Sequence, residues 1–141
     1  MELKSPPPRP DLTKKGIYLL VTALALGLPR TAIESPMLLS QASRMPNGLV
    51  ILIASQLFAF AIVGGLLFLI YRRHNWARWS YSVLTILGIP FSVYPLYLSL
   101  SAAPVSGLIG IGQIFLQLAG LFLLFRPVSS AWFKWRAAQP D

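Results

Sequence analysis

The sequence predicts an all-α polytopic membrane protein, four transmembrane helices in an up-down bundle with both termini in the cytoplasm (N-in/C-in). Three observations predict it. Four apolar runs, 16–33, 49–71, 79–100 and 105–125, each come close to the roughly 20 residues that a helix needs to cross the hydrocarbon core. Hydrophobic side chains make up 55% of the 141 residues and the mean hydropathy is +0.65, too apolar for an ordinary soluble domain. Of the 12 Lys and Arg residues, only Arg30 and Arg44 fall on one side of the runs. The other side carries the rest, and an excess of Lys and Arg in short loops marks the cytoplasmic face.

Residues 1–15 hold Pro6, Pro7, Pro8 and Pro10 among charges, and are expected to form an extended, disordered cytoplasmic tail. A polyproline ligand is the sharper alternative for that tail. The first run is freely apolar only to Leu28, about 20 Å of helix, which is too short to cross. Extension to Ile33 gives about 27 Å and puts Arg30 at the outer interface, where its stem can snorkel. A cleaved signal peptide is the alternative, because Lys14 and Lys15 precede an apolar core. No small-x-small cleavage site follows that core.

The outer loop 34–48 contains Ser35-Pro36, a hydroxyl cap followed by proline at the first helical position. A short helix is expected there, lying on the membrane with Met37, Leu38, Ala42 and Met45 downward. Pro46-Asn47-Gly48 then reads as a turn. The connection 71–79 is short and basic, so spans two and three are antiparallel neighbours. Loop 101–105 is uncharged and closes a tight outer hairpin between spans three and four. After Pro127, Ser129-Ser130 reads as a helix cap, and 127–141 as a cytoplasmic interfacial tail. Arg72, Arg73, Trp76, Arg78 and Trp79, then Trp132, Lys134, Trp135 and Arg136, are the expected anchors to the interface and its anionic lipid headgroups.

Polar residues inside the spans are the candidate functional positions. Tyr81, Thr85, Gly88, Ser92, Pro95 and Ser99 recur at steps of four and three along span three. Ser106, Gly110, Gln113, Gln117, Gly120 and Leu124 do so along span four. Such steps keep residues on one helix face, so each span presents a small-and-polar stripe. Gln113, Gln117, Ser92, Thr85 and Gln56 are the expected intramembrane polar contacts, either joining helices or lining a path. Ala61, Gly64 and Gly65 on span two read as close packing. Pro90 and Pro95 each remove a helical hydrogen bond, so span three is expected to bend. Arg30 and Glu34, four apart, are expected to pair at the interface.

The composition also excludes chemistries. There is no cysteine and a single histidine, His74. Glu34 is the only carboxylate between Asp11 and Asp141, so paired carboxylates and oxygen cages for hard cations cannot be built. No metal, cofactor or nucleic-acid partner is expected, and no enzyme.

The loop Arg72-Arg73-His74-Asn75-Trp76-Ala77-Arg78-Trp79, with Leu123-Leu124-Phe125-Arg126-Pro127 and Ala131-Trp132-Phe133, resembles a group of small four-helix inner-membrane proteins of bacteria. The resemblance covers about 49–133 and implies the fold and the membrane; it brings no activity to any residue. Small multidrug exporters share the span count but need a carboxylate within the first span. Quinone-linked thiol oxidases need cysteines, and the Glu/Arg/Asn pattern of membrane glutathione transferases is missing. The expected function is non-enzymatic helix–helix association with itself or a membrane-protein partner, of accessory or toxin-immunity type. The alternative is a small transporter or channel subunit with a polar path along helices three and four.

Overall fold

The structure, a computed structural model, describes residues 8–137 and, within them, the side chains of 8–134. These residues form five helices and no strand: α1 (Asp11–Ala42), α2 (Gly48–Tyr71), α3 (Asn75–Ala102), α4 (Pro104–Phe125) and α5 (Pro127–Ala137). Helices α1 to α4 are each long and apolar enough to cross a membrane, so the all-α, four-span architecture expected from the sequence is the one that forms. Packing follows chain order around a ring. α1 lies on α2, α2 on α3, α3 on α4, and α4 returns to α1 in the most extensive contact of the bundle.

That closing contact depends on small residues. A Cβ on Gly16 would stand 3.0 Å from the Gly120 carbonyl oxygen, and one on Gly120 would stand 2.7 Å from Leu20 Cδ2. Leu20 and Ala23 are fully buried against the same seam. Close backbone approach of this kind is how helices gain contact where lipid is as apolar as leucine. Gly16→Leu or Gly120→Leu is therefore expected to cost about 1–3 kcal/mol by overpacking, read as an earlier unfolding midpoint in detergent. Gly65→Leu is the control: no atom lies within 4 Å of its built Cβ, and the expected change is below about 0.5 kcal/mol.

α1 departs from the sequence reading at both ends. It begins at Asp11, inside the stretch expected to be a disordered tail, because Thr13 is fully buried and donates to Ser129 Oγ at 3.0 Å. The tail reading for 1–7 lies outside the described residues. Nor does α1 stop at Ile33: it runs through Pro29 and Pro36 to Ala42. Pro36 deprives the Ala32 carbonyl of its helical amide, and the Ser35 hydroxyl donates to that carbonyl at 2.8 Å. Ser35-Pro36 thus repairs a continuing helix instead of starting an interfacial one. At 32 residues α1 is about 48 Å long, well beyond the hydrocarbon thickness.

The turns are tight. Asn47 is left-handed (φ 57°), and a Cβ on Gly48 would lie 2.0 Å from the Ala42 carbonyl oxygen, so only glycine fits there. After α2 the amides of His74 and Arg73 donate to the Leu69 and Ile70 carbonyls at 2.9 and 3.0 Å. That is a Schellman closure, whose left-handed position usually holds glycine. Here it holds Arg73 (φ 71°), at a cost of roughly 1 kcal/mol relative to glycine.

α3 continues unbroken through Pro90 and Pro95. Pro104 opens α4 at a first-turn position that needs no amide. α4 ends before Arg126, whose extended backbone (ψ 147°) suits a residue preceding proline, and α5 starts at Pro127. At this corner Ser129 Oγ donates to the Leu123 carbonyl at 2.9 Å and Ser130 Oγ to the Phe125 carbonyl at 3.3 Å. Arg78 Nη1 takes the carbonyl between them, Leu124, at 2.9 Å. The two serines therefore satisfy the orphan carbonyls of α4 and do not cap α5.

Candidate functional site: a polar cavity inside the bundle

The stripes of α3 and α4 turn inward and meet polar groups from the other two membrane helices. One cavity of about 300 Å³ is lined by Tyr81, Thr85, Gly88 and Ser92 of α3 and by Gly110, Gln113 and Gln117 of α4. A second, of about 280 Å³, lies between Ala23, Gly27 and Thr31 of α1 and Gln56, Ala59 and Phe60 of α2. Arg30 of α1, Val63 of α2 and Gln113 and Gln117 of α4 line both, so the two cavities adjoin a shared, mostly polar wall built by three of the four membrane helices.

Three of these polar side chains are held by hydrogen bonds to backbone carbonyls. Gln113 Nε2 donates to the Ala23 carbonyl at 2.8 Å, which ties α4 to α1. Thr85 and Ser92 return their hydroxyl hydrogens to the Tyr81 and Ile89 carbonyls, at 2.9 and 2.7 Å, leaving oxygen lone pairs for the cavity. Two glycines make room. The Cβ of Gly110 would stand 3.0 Å from Arg30 Nη1, and that of Gly27 would stand 3.4 Å from Gln113 Nε2. Of the expected polar contacts, Gln113 and Gln117 line both cavities, Thr85 and Ser92 the first and Gln56 the second.

Arg30 and Glu34 form the expected i, i+4 ion pair, Nε to Oε1 at 3.2 Å. The same carboxylate oxygen accepts from Ser99 at 2.8 Å and from the fully buried Ser106. Glu34 therefore joins α1 to both α3 and α4 next to their hairpin. It lines neither cavity, whereas Arg30 lines both. The charge offered to the cavities is positive. Among the described residues no three His, Cys, Asp or Glu side chains gather as a metal site would require.

The anchor residues separate into two kinds. Trp76, Trp79, Arg72 and Lys134 lie exposed on the outside of the bundle, Trp79 with its ring edge against Phe125 at 4.9 Å between centroids. Arg78 and Trp132 do not lie outside: each is only 3% exposed. Arg78 stacks on Phe125 and Phe133, at 4.4 and 4.9 Å from their ring centroids, and donates to Leu124 and Ser130. Trp132 packs beneath Arg73. A basic or aromatic flank is read as interfacial by default, and no signal in the sequence distinguishes one that the folded C-terminal helix covers. The side chains of Trp135 and Arg136 lie outside the described residues.

No protein-family model, curated protein or solved structure matches the chain.

Proposed function

We propose that this is a small transporter or channel subunit of the bacterial inner membrane, a multi-pass protein with both termini in the cytoplasm. It works without catalysis, by admitting a small polar solute to the cavity around Arg30, Gln113 and Gln117. The observation that carries this reading is the convergence of amide, hydroxyl and guanidinium groups from four helices on two adjoining cavities of about 300 and 280 Å³. Polar groups at membrane depth are expensive and concentrate where a path or a ligand needs them. The guanidinium favours a solute bearing negative charge, because it projects into the cavity while its carboxylate partner does not. The orientation rests on the distribution of Lys and Arg, and the bacterial membrane on the resemblance of the loop and C-terminal motifs. The basic face is attracted to anionic headgroups.

The chain contains no cysteine, so single cysteines at positions 113 and 117 report directly on water. Labelling of both by a water-borne thiol reagent, with flux of small anions into proteoliposomes, is the expected result. Protection of both positions together with tight liposomes would end the reading.

A second reading, helix association with a membrane-protein partner as an accessory or toxin-immunity subunit, is favoured by one feature of α2. Ala54, Ala61 and Gly65 share an exposed face of that helix, and nothing approaches Gly65. A large residue at Gly65 that removed a co-purifying protein while leaving the monomer folded would move the conclusion there.

A further inference from the structure

A third pocket, of about 600 Å³, lies at the opposite end of the bundle from Glu34, where α1, the end of α2 and α5 meet. Its walls carry Arg9, Lys14 and Arg73 together with the ring of Trp132. The Arg9 and Arg73 guanidinium groups lie 5.2 and 4.1 Å from the centroid of that ring, so one indole gathers two like charges. Arg9 also lies 4.1 Å over Tyr71 and donates to the Tyr71 carbonyl at 3.0 Å, which fixes it in place. Among the described residues the only carboxylate at this end is Asp11, exposed and paired with Lys14 at 3.3 Å. Trp132 is 3% exposed, and its indole N–H has no acceptor among the described residues.

Below the cations the wall turns apolar. Lys14, Ile17, Tyr18 and Val21 follow one another along one face of α1, with Tyr18 and Val21 exposed in the direction of the span. We propose that this pocket is a specific site for one anionic phospholipid, its phosphate among Arg9, Arg73 and Lys14 and an acyl chain along Ile17 and Val21. A soluble phosphate would use the same cations but has no need of the apolar wall, which is why the lipid is the assigned source. The site is distinct from the diffuse attraction of a basic face, because it depends on two named guanidinium groups over one ring.

Native mass spectrometry of the full chain in mild detergent tests this, with phosphatidylglycerol, phosphatidylcholine of the same acyl chains, and inorganic phosphate as probes. One phosphatidylglycerol per chain is expected to be retained, with phosphatidylcholine held about tenfold less. Arg9→Gln with Arg73→Gln is expected to reduce phosphatidylglycerol retention about tenfold, and Arg126→Gln, at the same face but outside the pocket, to leave it within about twofold. Arg73→Gly provides a variant whose turn is relaxed and whose fold is safe; it too is expected to lose lipid. Equal loss in Arg126→Gln, or equal retention of the two lipids, would overturn the site. Binding of inorganic phosphate without phosphatidylglycerol would overturn the lipid assignment in favour of a soluble anion.

Discussion

Arg78→Ala is expected to lower the stability of the folded bundle by about 3–5 kcal/mol, the largest single effect in the molecule. The side chain is almost wholly buried, and its removal orphans the buried Leu124 carbonyl, while Ser130 loses one partner and keeps its bond to the Phe125 carbonyl. Each buried polar group so orphaned costs about 1–3 kcal/mol. The space above Phe125 and Phe133 empties as well, with a cavity cost of its own. Arg78→Lys keeps the charge but not the planar group that stacks on the rings, so about 1–2 kcal/mol of loss is expected. Unfolding midpoints in a fixed detergent, followed by tryptophan fluorescence, check the order Arg, Lys, Ala. An alanine variant as stable as the wild type would mean that α5 does not dock on this guanidinium.

Glu34→Leu is the second large effect, expected at about 3 kcal/mol, at the low end of the range for removing one partner of a buried charge pair because both side chains are only partly buried. One oxygen of this carboxylate serves Arg30, Ser99 and Ser106. Leucine leaves Ser106 buried without an acceptor and Arg30 as an uncompensated cation at the cavity wall. Glu34→Gln is the informative partner, because its amide oxygen still accepts from both serines and only the charge is lost. About 1–2 kcal/mol is expected for it. If the cavity takes an anion, flux in Glu34→Gln is altered while the bundle stays folded. A shift in stability with unchanged flux would reduce the pair to a structural tie.

Much of this fold is legible in the sequence because hydropathy and span length are nearly sufficient to place a membrane helix. The stripes were legible for a related reason. Ser106, Gly110, Gln113 and Gly120 fall on one face of α4 because helical periodicity requires it, and the interior of a bundle is where such a face can be satisfied. The ends of elements were not legible. Ser35-Pro36 has the local signature of a helix start, and only the Ser35 hydrogen bond to Ala32 shows a helix mending itself. Arg78 and Trp132 carry the same signature as true anchors such as Trp76 and Trp79, and only the return of α5 onto α3 and α1 separates them. Arg30 was placed at the interface, and its approach to Gly110 on α4 follows from a tertiary contact that no local pattern reports.

The ring order has a consequence for how the protein is made. Of these four membrane helices α1 leaves the ribosome first, yet its largest partner is α4, which leaves after the other three. At a synthesis rate of about 5–20 residues per second, α1 waits for several seconds or more before Gly120 exists to receive Gly16. During that interval the Gly16, Leu20 and Ala23 seam is open to lipid, to the insertion machinery or to another nascent chain. The Thr13 contact with Ser129, the buried Arg78 and the basic pocket at Trp132 all require α5, so the start of α1 and α5 lock together in the closing step. A chain truncated before α5 would insert four helices and still lack the latch that holds its beginning to its end.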